Sequence, residues 1–251
     1  MAVDAQLSAD YISYSRLRSF HDCPRKFFYK YIEKREGDES RLWVHSGKNF
    51  HEYLEKKLAP HEGAAFPHEA LKAAPHGHRT RSATLAGNIC AGAELLAVER
   101  EVRYTVGGVQ VLGYLDLMYR EPDGTVVICD VKTGGSPKIH IEQLEMYAWF
   151  YLEEHARLRL EYQLVDRDEM VAWHVGAAQR AQLEDELLAR ANVIRSEREF
   201  PPIPGGQCSS CEFFDACPDA GKSRGKPKEQ RLIQLTAAKS GAKRRAREFG
   251  G

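Results

Sequence analysis

Gly113-Tyr114-Leu115-Asp116-Leu117-Met118, followed across a turn by Thr125-Val126-Val127-Ile128-Cys129-Asp130-Val131-Lys132, is the stretch that decides the fold. The first run is apolar and carries one carboxylate. Glu121-Pro122-Asp123-Gly124 between the two runs is a turn signal. The second run reads as a buried strand, and its charges arrive directly after five uncharged residues. Asp130 and Lys132 are two apart, so a strand sends both side chains from one face. Charges at the end of a buried strand are costly unless they are paired or bind something. The segment therefore predicts two neighbouring strands with carboxylates and a lysine at their ends.

Working outward, Val98, Val102, Tyr104 and Val106 alternate with charged residues, Gly107-Gly108 marks a tight turn, and Val109, Val111, Leu115 and Leu117 continue the alternation. Together with residues 125–132 this predicts an antiparallel meander. Upstream, residues 13–36 read as a helix capped by Ser13 or Ser15, with Pro24 as a breaker. A second helix is expected from about Gly47 to Leu58, a loop over 59–80 and a third helix over 81–96. Four histidines of the loop (His61, His68, His76 and His78) are too irregularly spaced for a metal site. Downstream come a helix at 139–155, strands from Leu158 to Val165 and from Met170 to Val175, and a helix over 178–198 that stops at Phe200-Pro201-Pro202-Ile203-Pro204. Helices, meander, helix, strands and helix in that order predict an α/β fold around a mixed sheet.

A chain of 251 residues can bury a substantial core. No run approaches the roughly 20 apolar residues of a membrane span, and no basic patch followed by an apolar stretch opens the chain, so a cytoplasmic protein without a membrane partner is expected. The net charge is zero, but residues 222–251 hold ten Lys or Arg against two Glu, which leaves 26 basic and 34 acidic residues elsewhere. The expected division is a main domain over 1–221 and a basic tail over 222–251. Such a tail either adds sequence-independent affinity for phosphates or is a solvated terminus.

Hard divalent cations such as Mg²⁺ and Mn²⁺ take oxygen ligands, often one or two carboxylates plus substrate phosphate. Asp116 and Asp130 can supply these, and the Val131 carbonyl adds a backbone oxygen. Lys132 then orients a water or offsets developing negative charge. Gln143 and Tyr147, four apart on a helix, point the same way. His51, following Gly47-Lys48-Asn49-Phe50, can add an imidazole, which favours Mn²⁺. Near the N-terminus Tyr11, Tyr14, Arg16, Arg18, Arg25 and Lys26 mix rings and cations, which suits either single-stranded DNA or an ordinary helix with one charged face.

Cys208-Ser209-Ser210-Cys211 with Cys217-Pro218 is a second constellation. Three thiols this close in a cytoplasmic protein point to metal rather than disulfides. Cys23, in a polar break of the first helix, is the candidate fourth ligand. Four Cys suit an iron–sulfur cluster or a zinc site, although zinc sites usually draw on two close pairs. Cys90 and Cys129 sit in apolar contexts as ordinary buried thiols.

The order His51, Gly113-x-x-Asp116, Asp130-Val131-Lys132-Thr133-Gly134, Gln143-x-x-x-Tyr147 resembles the RecB-like branch of the PD-(D/E)XK nucleases, over about residues 11–220. The resemblance implies a restriction-endonuclease-like core with a mixed sheet flanked by helices. By the same resemblance His51, Asp116 and Asp130 are metal ligands, Lys132 is the catalytic lysine, and Gln143 and Tyr147 are the supporting pair. The Asp before Val131 stands where many superfamily members have Glu, but Asp is usual in this branch. Either Glu99 or Glu101 matches a further acidic residue. The one-plus-three cysteine spacing is similar to that of the CRISPR-associated Cas-four exonucleases and the AddB nuclease domain. That implies a 4Fe–4S cluster on Cys23, Cys208, Cys211 and Cys217, forming a staple that joins the N- and C-terminal segments.

The function these resemblances imply is a Mg²⁺- or Mn²⁺-dependent deoxyribonuclease, an exonuclease on single-stranded DNA ends, acting in CRISPR adaptation or in recombination and repair. No Gly-x-x-x-x-Gly-Lys-[Ser/Thr] loop occurs, so unwinding would fall to a partner helicase, and a CRISPR integrase is the other implied partner. The alternative is a non-catalytic DNA-binding or assembly subunit with the same fold.

Overall fold

The computed structural model describes residues 11–38, 45–135 and 139–222. They form two compact units: one gathers described residues within 11–38, 105–111 and 185–222, the other those within 45–104, 112–135 and 139–184. Of the basic segment 222–251, everything from residue 223 on lies outside the described residues. No helix among the described residues is long and apolar enough to cross a membrane.

A six-stranded sheet runs in chain order: β1 (Ala64–Ala65), β2 (Glu94–Val106), β3 (Val109–Arg120), β4 (Val126–Lys132), β5 (Arg157–Leu164) and β6 (Glu169–Gly176). β3 pairs antiparallel with β4, and β5 with β6. β4 and β5 are parallel, in register from Val126↔Leu158 to Lys132↔Leu164. A parallel pair needs a long crossover, and the chain between β4 and β5 supplies one containing helix Ile141–Tyr151. The mixed α/β sheet expected from the pattern is present. β4 is buried from Val126 through Val131, so its uninterrupted apolar run has the form of a strand covered on both faces.

One face of the sheet packs on helix α3 (His45–Leu58; α1 and α2 are described below) and on helix α5 (Arg79–Asn88), with the short α4 (His68–Lys72) between them. Phe50, Leu54 and Leu58, one helical turn apart, meet Leu85, Leu117, Tyr119, Val127 and Cys129 in one apolar cluster. Each such side chain taken fully out of water stabilises the fold by about 1.5–3 kcal/mol. Cys129 is buried, as expected of an ordinary thiol, and Cys90 is half-buried.

Two sequence expectations need correction here. The expected helix over 81–96 ends at Asn88. Ile89 is extended, Gly92 turns the chain with φ +82°, and β2 begins at Glu94. Leu95 and Ala97 are buried strand residues rather than the end of a helix. The expected loop over 59–80 contains β1 and α4. Two of its histidines serve packing: His68 lies between the carbonyls of Phe66 and Ile89, and His78 stacks on Tyr53 at 4.5 Å.

In the other unit, α1 (Tyr14–Asp22) is capped by Ser13, whose Oγ accepts the Arg16 N–H at 3.2 Å. Cys23 is extended, and Pro24 opens α2 (Pro24–Phe27), which passes into a wider turn over Phe28–Ile32. Proline suits a first helical position because no donor is lost there. It restarts the helix rather than ending it. Phe20, Phe27 and Phe28 surround Phe200, with ring centroids 6.3, 6.2 and 5.1 Å from it. The mixture of rings and cations near the N-terminus is largely engaged within the unit. Arg16 lies over both Tyr11 and Tyr31, Arg18 pairs with Asp22, and Lys26 lies 3.6 Å from Glu212. At Gly107-Gly108 both residues have positive φ (+51° and +73°), as a tight primed hairpin turn requires.

Candidate metal centre

The site begins where backbone pairing ends. The β3–β4 ladder runs from Arg120↔Val126 to Leu117↔Cys129. Beyond that rung, both polar backbone groups of Val131 face side chains. Asp116 Oδ2 accepts the Val131 N–H at 2.7 Å, and the Val131 carbonyl lies 3.0 Å from His51 Nε2. The splay opens space for ligands without leaving buried backbone groups unpaired.

His51 comes from α3, whose buried Phe50 and Leu54 fix the helix against the sheet. Its other ring nitrogen, Nδ1, lies 2.8 Å from Glu99 Oε1 and 3.7 Å from Asp116 Oδ2. The ligand atoms of His51, Glu99 and Asp116 all fall within 4.8 Å of one another, and among the described residues this is the one such group of His, Cys, Asp and Glu. Glu99 reaches His51 through an unusual backbone: its φ is +43°, a left-handed conformation inside a strand. For a residue other than glycine this costs about 1–3 kcal/mol. Burial along β2 switches from odd positions (Leu95, Ala97) to even ones (Val102, Tyr104) across it, as at a bulge. The Val98 N–H next to the switch goes to Glu62 Oε1 at 2.7 Å. Glu101, the other candidate, points elsewhere and accepts from Tyr114 and Arg103.

The electrostatics are those of a site short of positive charge. Burial, then the charge of Asp130, pushes the Asp116 carboxyl up to about 8. Asp130 is also pushed up, by burial, against the pull of Lys132. Burial disfavours the charged form of His51, but the hydrogen bond to Glu99 and the charges of Asp116, Glu99 and Asp130 outweigh it and lift the imidazole to about 9. A cation bound at this half-buried point would displace the proton that Asp116 holds. The spacing suits such a cation as well. Val131 O and His51 Nε2 stand 3.0 Å apart, close to the edge of an octahedron with metal–ligand bonds of about 2.1 Å.

Lys132 Nζ lies 2.7 Å from Asp130 Oδ1, a contact of charges, since that oxygen has no hydrogen-bond partner. The ammonium also donates to Gln143 Oε1 at 3.4 Å and lies 5.5 Å from the centre of the Tyr162 ring. Gln143 and Tyr147 share one face of α6 (Ile141–Tyr151). The Tyr147 phenol is pushed up by burial and meets the Gln143 side chain and the Tyr114 backbone. Gly113 explains why that contact is possible. A Cβ there would lie 2.2 Å from Tyr147 Cε1. The glycine of Gly-x-x-Asp and the tyrosine of Gln-x-x-x-Tyr are therefore two halves of one contact.

All the residues expected at this site, His51, Asp116, Asp130, Val131, Lys132, Gln143 and Tyr147, lie in one unit and are joined by these contacts. Sequence reasoning did not find the Asp166 clamp. Asp166 takes Arg81 at 2.6 and 2.9 Å and the Gly134 N–H at 2.6 Å, which fastens the chain just after Lys132. No local pattern links positions 81 and 166.

The cysteines lie in the other unit. Cys23 Sγ accepts the Ile203 N–H and Cys208 Sγ the Gly205 N–H, each at 3.4 Å. Burial pushes the Cys211 thiol up; Lys26 pulls it down, and Cys23 and Cys208 add to the rise, so all three are electrostatic neighbours. Their sulfurs do not gather within the 4.8 Å that the His51 group meets. Glu212, next in the chain and buried, accepts from Lys30 at 2.9 Å, and its backbone carbonyl accepts the Asp38 N–H, while Phe213 meets Tyr29 edge-on at 5.7 Å. The tie between N- and C-terminal segments is thus already made by side chains.

No curated protein matches the chain. Among solved structures, the crystal structure of SSO0001 is 20% identical, with 80% of this chain and 84% of that chain covered and a TM-score of 0.40. The model of the PD-(D/E)XK nuclease superfamily matches residues 11–218. That match covers most of the sequence and all the residues of the candidate metal centre, and the chain belongs to the PD-(D/E)XK nuclease superfamily.

Proposed function

We propose that the chain is a DNA exonuclease of the RecB-like branch that acts on single-stranded ends with Mg²⁺ or Mn²⁺. His51, Asp116, Asp130 and the Val131 carbonyl would hold the ion, with Glu99 against His51. The observation that carries this reading is the convergence of His51, Glu99 and Asp116 within 4.8 Å beside a lysine seated on Asp130. When bound, a divalent cation lowers the pKa of a water and offsets charge on the phosphate. The chain's own part is to place that chemistry. Glu99 fixes the ring of His51, Asp116 holds the Val131 backbone, and Asp130 and Gln143 aim Lys132 at the phosphate, where its ammonium offsets developing charge.

The same reading assigns a 4Fe–4S cluster to Cys23, Cys208, Cys211 and Cys217. Its support is that Cys23 and Cys208 both stand near enough to Cys211 to push its thiol up, beside burial. Sulfurs that bind separate irons of a cube stand further apart than ligands of a single ion, so gathering within 4.8 Å is not required of them. The proposed setting is cytoplasmic DNA processing, in CRISPR adaptation with an integrase or in recombination and repair with a helicase, by residues 1–221 with 222–251 as a basic tail.

The experiment uses full-length protein purified without oxygen, its visible spectrum recorded, then incubated with end-labelled single-stranded DNA and Mn²⁺ beside Lys132→Ala. Cleavage by the wild type, lowered about 10²–10⁴-fold in the variant, is expected, and the ladder from each labelled end gives polarity. Iron-dependent visible absorption, lost in Cys23→Ala and Cys208→Ala, is expected of the cluster. A cluster-loaded wild type that binds DNA without cutting it would instead identify a non-catalytic subunit.

A further inference from the structure

β4 ends at Lys132, and the last rung of its parallel ladder is Lys132↔Leu164. Past that rung the chain is held by the end of β5 and the turn after it. The Lys132 carbonyl accepts the Val165 N–H at 3.1 Å, and the Gly134 N–H goes to Asp166 Oδ2 at 2.6 Å. Gly134 has φ +97°, which glycine adopts at no steric cost. Further on, the His140 carbonyl, at the start of α6, accepts the Tyr162 hydroxyl at 2.7 Å. Positions 162, 165 and 166 thus fasten both ends of the segment that joins Lys132 to the helix of Gln143. The Tyr162 ring also lies 5.5 Å from the Lys132 ammonium.

Asp166 is itself aimed. The Arg81 guanidinium donates to its two oxygens at 2.6 and 2.9 Å, a fork that fixes the plane of the carboxylate. That bond is the main influence holding the Asp166 carboxyl below its ordinary range, and the Gly134 N–H adds to it against burial. The same guanidinium lies 5.7 Å from the centre of the Phe50 ring, and Phe50 precedes His51 on α3. One ion pair therefore touches both the helix of His51 and the segment after Lys132. Its side chains are 21% and 24% exposed, and an ion pair open to water contributes little to stability. Its forked geometry fixes a position instead.

We propose that Asp166, oriented by Arg81, is a positioning residue for Lys132: it stands in for the next rung of the ladder and keeps the lysine between Asp130 and Gln143. Without it the segment after Lys132 is tied only at its far end, and the ammonium spends less time where the phosphate reacts. Its loss acts on turnover more than on binding.

This inference rests on the nuclease reading of Lys132, and the test separates the two. Full-length protein is assayed on single-stranded DNA with Mn²⁺. Asp166→Ala and Arg81→Ala should each lower kcat roughly 10–10²-fold, with KM within about twofold and melting temperature within about 4 °C of the wild type. Asp166→Asn, which keeps an acceptor for the Gly134 N–H, should lose less. Glu169→Ala breaks the Arg167 ion pair of the same turn and should leave kcat unchanged. In the Lys132→Ala background, Asp166→Ala should cost nothing further, because the group it positions is gone. A second readout needs no cleavage: in protein labelled with ¹³C at the lysine Cε, the Lys132 methylene should relax as an ordered group in the wild type and as a mobile one in Asp166→Ala.

A wild type that cuts, with Asp166→Ala of unchanged kcat, would overturn the positioning role and keep the nuclease. So would a loss of equal size with and without Lys132, since Asp166 would then act on the fold at large. A wild type that never cuts, but whose Lys132 loses its order in Asp166→Ala, would overturn the nuclease and keep the positioning.

Discussion

The two units carry one proposed metal centre each and hold it in opposite ways. Around His51 the groups resist one another: burial and neighbouring carboxylates push Asp116 and Asp130 up, and Glu99 sits in a strained backbone. Around Cys23 and Cys211 the groups support one another. Four phenylalanines pack together, and Glu212 is neutralised by Lys26 and Lys30. The first arrangement loses stability when empty and regains it when a cation arrives. The second is a framework whose shape does not depend on what the cysteines bind. A cluster there would add to contacts already made, whereas a cation at Asp116 relieves a conflict.

The contrast is broken most directly through Phe200, fully buried among Phe20, Phe27 and Phe28. Phe200→Ala should cost about 3–5 kcal/mol, measured by chemical denaturation, and leave Mn²⁺ affinity measured by calorimetry unchanged. Altered Mn²⁺ affinity in a folded variant would show that the two centres are not independent. Gly113→Ala comes next. The added methyl meets Tyr147, so a loss of about 1–3 kcal/mol is expected, together with loss of cleavage because Asp116 follows on the same strand. Gly113→Ala with normal stability and cleavage would mean that the Gly113–Tyr147 approach does not set the site.

The smallest effect is the most telling. The folded protein keeps the Asp116 proton up to about 8, while an unfolded aspartate releases it near 3.8. Between these values the folded state binds more protons, so stability falls as pH rises. Asp116→Asn keeps an acceptor for the Val131 N–H but removes that loss. Most of that gain is offset because Asn also gives up the pull of the Asp116 charge on His51, so without metal it should melt higher than the wild type by ~2–4 °C, about 1 kcal/mol, with the gap growing from pH 4 toward pH 8. Added Mn²⁺ should reverse the order. A metal-free variant that melts lower at pH 8 would show that Asp116 is a purely structural acceptor.

Much of this was legible in the chain because strand alternation and motif order are local. Asp130 and Lys132 share a face for that reason, and β4 reads as buried from Thr125-Val126-Val127-Ile128-Cys129 alone. What was not legible depends on distant partners. Nothing near Glu99 or Glu101 says which one turns toward His51, because a single left-handed residue in β2 decides it. The helix expected over 81–96 overran because Leu95 and Leu96 fit either period until Gly92 breaks it. Gly113 reads in the sequence only as the first residue of Gly-x-x-Asp, yet its missing side chain is space for Tyr147, 34 positions on.

The splay of β3 from β4 has a consequence for reading relatives of this chain. Asp116 answers a buried N–H, whereas the Lys132 ammonium answers only other side chains and, in the proposed reaction, the phosphate. A lineage that abandons cleavage is free to let position 132 drift, but position 116 remains under the fold's own constraint and should settle on Asp or Asn. A surviving acid at 116 is therefore weak testimony to activity, and a surviving lysine at 132 is strong testimony.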